Sequence, residues 1–350
     1  MLLENKNNTL PLKNVRKIAV VGPNADSIQA QFEDWTFFTH PDPKPDTIPN
    51  FEYYTMLRGI RELAESKHIE VSYHKGGDIT NKENIDVEGA IKACENADVI
   101  IAVVGNCLEM NGEFKDRATL DMPGSQLRLV EELKKLNKPL TVVLVNGKPL
   151  SIPWIAQNAD AVIETFNSGT LGGKALADIL FGKFNPCGKL SISFPYHSGQ
   201  TPVYYNYLPG CHSPKYADLN TSETLYSFGY GLSYASFKYS NLKLSKTSCS
   251  SADTLTVSVD ITNIGKYDGT EIVQLYVISS VMTPVKELKG FKKIQINAGN
   301  TKNVSITLSV SDFSIVDAYE QYVVEPGKFE IMVGPDSRNA SLLKDVLTVI

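Results

Sequence analysis

Apolar residues in the first half of this chain follow two interleaved rhythms. Unbroken runs at 17–22 (KIAVVG), 97–105 (ADVIIAVVG), 140–145 (LTVVLV) and 161–165 (AVIET) are short and rich in β-branched residues. They predict strands covered on both faces, as in a parallel sheet. Between them, apolar residues recur at helical spacing over 54–65 (Met56, Leu57, Ile60, Leu63, Ala64), 86–96, 125–136 and 171–181. Asp86 is placed to cap the second of these helices. Pro123 is expected to open the third, because a first helical position has no use for the missing N–H. An alternating strand at 69–73, a short segment at 149–157 and a last strand at 190–194 complete the pattern. Residues 35–50, dense in Pro and aromatics, read as a loop. Strands alternating with helices over 16–195 imply an α/β fold, with a mostly parallel sheet sandwiched by helices.

From residue 253 the period changes to two. TLTVSVDITNIG, EIVQLYVIS, NVSITLSV and KFEIMVG alternate apolar and polar positions between Gly, Pro, Asn and Asp punctuation. This predicts a small antiparallel sandwich of the immunoglobulin or fibronectin type III kind. An antibody-type Cys/Trp/Cys core is excluded, since this stretch has no Trp and Cys249 has no later cysteine to pair with. The expected organisation is an α/β domain at 1–196, a Tyr-rich connecting segment at 197–245 and an all-β domain at 246–350. The connecting segment holds Tyr204, Tyr205, Tyr207, Tyr216, Tyr226, Tyr230 and Tyr234. So aromatic a stretch is not a disordered linker. Its rings could stack on sugars, or they could serve domain packing.

Composition narrows the function classes. A net charge of −5 with no basic run gives no electrostatic footprint for nucleic acid or an anionic membrane surface. No apolar run is long enough to span a bilayer. The start, MLLENKNNTLPL, lacks a basic n-region and does not read as a signal peptide. Five scattered cysteines show neither a CxxC pair nor zinc spacing, and an odd, dispersed set argues against a disulfide framework. No GxGxxG follows the first strand, so a dinucleotide cofactor is not expected, and no metal site is expected either.

The candidate chemistry sits after the 97–105 strand. Glu109, Glu113, Asp116 and Arg117 fall within nine residues, on a loop at the carboxyl end of a strand. That is where open α/β sheets present ligand-contacting groups. The cluster reads either as an acid/base set or as a solvated charged loop tied down by an Asp–Arg pair. Gly172 and Gly173 mark a close backbone approach, to a neighbouring element or to a ligand.

Five motifs carry a resemblance. LLENKNNTLPL at 2–12, KIAVVGPNAD at 17–26, GEFKDRATLDMPGSQ at 112–126, NSGTLGGKALADILFGKFNPCGKLSISFP at 167–195 and LYSFGYGLSYASF at 225–237 occur in family order. The whole chain thereby resembles the second and third domains of glycoside hydrolase family 3, the β-glucosidase and β-xylosidase family. Ser168, Cys187 and Ser227 depart from the family's usual Pro, Ser and Pro. The resemblance implies retaining hydrolysis of terminal β-linked sugars, which needs two carboxyl groups roughly 5–5.5 Å apart. It assigns the general acid/base to Glu113, with Glu109 in reserve and Asp116 and Arg117 as loop support near substrate. It places the nucleophile on a preceding (β/α)8 barrel, which no pattern here encodes, so the expected partners are a β-linked oligosaccharide or glycoside and a barrel in cis or trans. This chain is then the C-terminal portion of such an enzyme, inactive alone. The alternative is a noncatalytic carbohydrate-binding or structural remnant. Two lookalikes of the nucleophile motif, Ser311-Asp312-Phe313 and Glu33-Asp34-Trp35, are set aside. The first falls between strands of the sandwich, and the second has no partner acid. Relatives of this family are often secreted or periplasmic, but the compartment of this chain is open.

Overall fold

The computed structural model describes residues 1–350 except 33, 35, 37, 38, 40–50, 212–215 and 280–282. Apart from Thr36 and Thr39, the expected loop at 35–50 lies outside the described residues. The chain divides into two compact units. The first comprises 1–186 with 195–201, and the second 187–194 with 202–350.

The first unit is a six-stranded sheet. Its strands are β1 (Leu2–Asn5), β2 (Lys17–Val21), β3 (Glu70–His74), β4 (Val99–Gly105), β5 (Leu140–Val145) and β6 (Ala161–Glu164). The spatial order is β1-β6-β5-β4-β2-β3, all parallel except the edge strand β1, which runs antiparallel to β6. Every residue of β4 and β5 is buried, as unbroken β-branched runs require when a strand is covered on both faces. The helices are α1 (Met56–Glu65), α2 (Val87–Cys94), α3 (Gln126–Lys134), α4 (Pro153–Asn158) and α5 (Gly172–Leu180). Thr55 caps α1 by accepting from the Arg58 N–H, and Asp86 caps α2 by accepting from the Gly89 N–H. Helices α1 and α5 press backbone to backbone. A Cβ on Gly59 would lie 2.1 Å from the Gly173 carbonyl oxygen, and one on Gly173 would lie 1.9 Å from that of Thr55. Gly173 therefore serves a neighbouring helix, whereas a Cβ on Gly172 would meet the Ser168 hydroxyl at 2.0 Å.

Two expectations are corrected. Pro123 does not open a helix. Gly124 turns at φ +66°, with its α-carbon packed on the Ile79 carbonyl, and α3 begins only at Gln126. Residues 190–194 add no strand to the parallel sheet. They lie in the second unit, where Leu190 and Phe194 exchange backbone hydrogen bonds with Tyr226, Gly229 and Tyr230.

The second unit is a β-sandwich. One sheet has the order β11-β10-β15-β16-β8 and the other β12-β9-β7. Here β7 is Phe237–Leu244, β8 Ser248–Cys249, β9 Thr254–Asn263, β10 Gly269–Ser279, β11 Glu287–Ile296, β12 Thr301–Ser309, β15 Gly327–Gly334 and β16 Leu343–Val349. Short strands β13 (Ile315–Val316) and β14 (Tyr322–Val323) pair apart from both sheets. Alternate residues of β9 (Leu255, Val257, Val259, Ile261) meet Val273, Leu275, Val277, Phe329, Ile331, Val333 and Leu347 in one apolar core. This is the period-two pattern converted into packing.

Candidate active site

Strand β2 pairs in parallel with β3 on one side and β4 on the other, so the connections leaving β2 and β4 diverge. A doubly wound sheet binds ligands in the crevice that forms at such a reversal, outside the carboxyl ends of the strands. The loop bearing Glu113 is the one that leaves β4 at this point. The floor is tight. Gly22, at φ +127°, brings its α-carbon so close to β4 that a Cβ would sit 2.1 Å from the Val103 carbonyl oxygen. The Asn24 side chain then bridges the two loops, donating to the Asn106 carbonyl (2.8 Å).

The Glu113 loop is anchored at both ends. Gln126, buried at the start of α3, accepts from the Gly105 N–H (2.9 Å) and donates to the Gly105 carbonyl (2.8 Å). The Arg117 guanidinium turns inward, donating to the Asn106 side-chain oxygen (3.2 Å) and the Asp121 carbonyl (2.7 Å). Lys115 pairs with the buried carboxylate of Asp34. Gly112, at φ +134°, packs directly on Asp34, where a Cβ would lie 2.4 Å from its side chain. Between these anchors Glu113 is exposed, and so is Asp116. Phe114 follows with φ +60° and 92% of its surface open to solvent. A bulky side chain holds that backbone region only where the flanking structure imposes it.

The structure thus brings Glu109, Glu113 and Asp116 onto one exposed loop, with Arg117 bonded to Asn106 and the Asp121 carbonyl. Among the described residues Arg117 makes no ion pair with Asp116, so an Asp–Arg tether is not what holds the loop. Glu109 lies on a short turn of 3₁₀ helix, Leu108–Met110. Burial, followed by a hydrogen bond that the thiol donates to the Glu109 carboxylate, pushes the neighbouring Cys107 up to about 12. That cysteine stays protonated and is no nucleophile at neutral pH.

Sequence reasoning missed a set of amides at this edge of the sheet. Asn24, Asn106, Asn146 and Asn167 each fall within three residues of the end of β2, β4, β5 or β6. The first three are fully or almost fully buried. Asn167 donates to the Phe32 carbonyl (3.2 Å), and buried Gln31 to the carbonyls of Tyr54 (3.0 Å) and Gly169 (2.7 Å). The recurrence of Asn just past each strand was the available signal. Glu164, which closes β6, is also fully buried. It accepts from the Phe166 N–H (2.7 Å) and the Asn146 side chain (3.1 Å). Burial outweighs these bonds and raises its carboxyl to about 7.

The opposite edge of the sheet has a groove of about 660 Å³, lined in part by Asp98, Lys134, Lys138 and Asp160. Its charges are engaged internally. Lys138 donates to the carbonyls of Cys94, Glu95 and Ala97 at the end of α2, and Lys134 pairs with Asp160. Among the described residues no group of three or more His, Cys, Asp or Glu could cradle a metal, and no helix is long and apolar enough to cross a membrane. Of the two lookalikes, Asp312 caps a 3₁₀ turn by accepting from the Ser309 N–H, with Phe313 in the sandwich core. Asp34 is the Lys115 partner already described, while Glu33 and Trp35 lie outside the described residues.

These features define a doubly wound α/β unit with carboxylates displayed at its strand reversal, in one chain with a fibronectin type III-like sandwich. The chain belongs to glycoside hydrolase family 3: residues 1–234 match the glycosyl hydrolase family 3 C-terminal domain, and 271–337 match the fibronectin type III-like domain. It is 40% identical over its whole length to a beta-xylosidase of Formosa agariphila, covering 48% of that protein. It is 38% identical to a periplasmic beta-glucosidase of Salmonella typhimurium, with 96% of this chain and 47% of that protein covered. Among solved structures, a β-glucosidase from Erythrobacter marinus superposes with a TM-score of 0.89 at 34% identity, covering all of this chain and 49% of that one. A beta-glucosidase from Listeria innocua in complex with isofagomine gives 0.85 at 34%, covering 99% of this chain and 48% of that one. The chain spans about half the length of these relatives and corresponds to their C-terminal half.

Proposed function

We propose that this chain supplies the general acid/base, Glu113, to a retaining exo-acting β-glycosidase whose nucleophile comes from a (β/α)8 barrel in cis or in trans. The observation that carries the reading is the position of Glu113: an exposed carboxylate at the strand reversal, on a loop fixed by Gln126, Arg117 and Lys115. A retaining reaction needs a second carboxyl group roughly 5–5.5 Å from the first, to attack the anomeric carbon while the first protonates the leaving oxygen. Glu113 faces outward, where such a group would have to be brought by another domain. Arg117 is turned onto Asn106 and Asp121, so its guanidinium donates to the loop backbone and the buried amide. The exposed Phe114 ring beside it offers a flat face for the leaving sugar. Terminal β-linked glucose or xylose is the substrate class, as the β-xylosidase and β-glucosidase relatives suggest.

The test is turnover of 4-nitrophenyl β-glucoside and β-xyloside. The expected outcome is none for residues 1–350 alone and steady turnover once a barrel encoded in the adjoining DNA is supplied. In that pair, Glu113→Gln should lower kcat by roughly 10²–10⁴-fold on substrates with poor leaving groups. External azide should restore turnover in Glu113→Ala by intercepting the glycosyl intermediate. Turnover by the chain alone, abolished by Glu113→Gln, would show that no barrel is required. Loss of activity in Glu109→Gln but not Glu113→Gln would move the role to Glu109.

A further inference from the structure

The second unit contains a cavity of about 550 Å³, within the range of small-molecule sites, lined in part by Tyr204, Tyr207, Glu223, Ser227 and Lys286. Its base is rigid. Tyr205 stacks on Phe228 at 4.1 Å and meets the edge of Tyr276, and these rings pack with Met332, Leu342 and Leu288 as a small apolar cluster. The Tyr205 hydroxyl accepts from the Leu288 N–H (3.2 Å), and Tyr276 donates to Gln274 (2.6 Å). The rim is held by the turn from Asp336 to Asn339, where Ser337 donates its N–H to the Phe228 carbonyl (3.0 Å).

The polar groups in this cavity exceed what the fold uses. Lys286 is 6% exposed, and its ammonium donates to the Ser337 carbonyl (2.7 Å) and the Asn339 side chain (2.5 Å). Both acceptors are neutral, and among the described residues no third acceptor meets the remaining N–H. Burial lowers its pKa accordingly. The Ser227 hydroxyl, in a residue 8% exposed, has no hydrogen-bond partner among the described residues. A buried polar atom left unmatched is costly unless a ligand or water completes it. Tyr204 and Tyr207 meanwhile stand exposed at the mouth.

We propose that this cavity is a sugar-binding site built wholly from the second unit, with no residue in common with the Glu113 loop, and that its ligand is a neutral pyranose or short oligosaccharide. The charges of the lining select neutrality. Arg338 is held by Asp336 in a two-point contact (2.7 and 3.1 Å), and Lys344 by Glu330 (3.0 Å). Lys286 and Glu223, the other charges of the lining, are opposite in sign, so the lining presents no net charge to an anion. A sugar hydroxyl both accepts and donates. One can take the third Lys286 N–H while another engages Ser227, and the apolar face of the ring can lie on Tyr204 or Tyr207.

The test is saturation-transfer NMR and calorimetry on the full chain, with xylobiose, cellobiose and glucuronate at millimolar concentration. The expected result is saturable binding of at least one neutral disaccharide, weakened tenfold or more by Tyr204→Ala and by Ser227→Val, and unchanged by Glu113→Gln. Tyr204 is exposed, so Tyr204→Ala keeps the fold, and an unchanged circular dichroism spectrum confirms it. Three results would each overturn the proposal: no heat and no transfer with any neutral sugar, preference for glucuronate, or binding lost in Glu113→Gln and retained in Tyr204→Ala. Turnover with a supplied barrel is a separate readout, so failure here leaves the assignment of Glu113 standing.

Discussion

At the scale of single residues, Glu164 carries the clearest consequence. Its carboxyl rises from the ordinary glutamate value of 4.5 to about 7 in the folded chain, because burial penalises the charged form. The folded state therefore holds a proton that the unfolded state has released between these values. The stabilisation is complete below about pH 4.5 and is lost as pH rises through about 7, amounting to about 3 kcal/mol over that window. Glu164→Gln removes the ionisation. The Asn146 amide can then turn its unpartnered oxygen to the new NH2 group, at the cost of its hydrogen bond to the Lys148 carbonyl (2.9 Å). Urea unfolding should show the variant more stable than the parent by roughly 1–3 kcal/mol at about pH 8 and similar to it at about pH 4.5. A parent whose first unit is equally stable at both pH values would refute the assignment. Arg117 offers a second expectation. Arg117→Ala frees two acceptors, Asn106 and the Asp121 carbonyl, at a cost of roughly 1–2 kcal/mol. Amide hydrogen exchange over 112–121 should speed up while β4 stays protected. Unchanged exchange there would mean that Lys115 and Gly112 hold the loop unaided.

At the scale of elements, legibility followed burial. Strands β2, β4, β5 and β6 stood out because they are covered on both faces and so are apolar throughout. The caps Thr55 and Asp86 opened α1 and α2 close to where periodicity placed them. The strands that escaped notice were β1, β7, β11 and β16, with the two-residue β8, β13 and β14. Among these β1, β7, β8 and β11 are sheet edges, and in β7 and β11 the sequences FKYSNLKL and ELKGFKKIQI carry the lysines that discourage edge pairing at the expense of a clean alternation. The segment at 190–194 was read as a strand and is not one: it bends at 191–192 and makes a single bridge, Phe194 to Tyr226, since a short apolar stretch records burial and not pairing. The candidate loop was legible as a charged cluster after a buried strand. The bonding of Arg117 to Asn106, and the set of amides at the strand ends, depend on a strand order that one sequence does not display. The glycines of α1 and α5 make this scale testable. Gly59→Ala must push α1 off the Gly173 carbonyl, and overpacking of this kind costs typically about 1–3 kcal/mol. A thermal scan showing no loss of stability would mean that the two helices are not in backbone contact.

At the scale of the whole molecule, the two units have separate cores, so a single unfolding free energy does not describe the chain. The buried core of the sandwich runs from Cys249 to Val349, with Phe237, Tyr239, Leu242 and Leu244 packed against it, whereas Glu164 and the parallel sheet lie in the first unit. Two perturbations should therefore act on different transitions. Ile331→Ala deletes a fully buried side chain between β10 and β16, and such truncations cost about 2–5 kcal/mol. It should lower one calorimetric transition by several degrees and leave the other in place. Lowering the pH from about 8 to about 5.5 should do the reverse, raising the transition that Ile331→Ala leaves alone, because the Glu164 carboxyl takes up its proton there. The crossed design assigns each transition to its unit without cutting the chain. If both perturbations moved a single transition, the units would unfold as one cooperative body. The Glu113 loop would then draw its stability from the sandwich as well as from its own sheet.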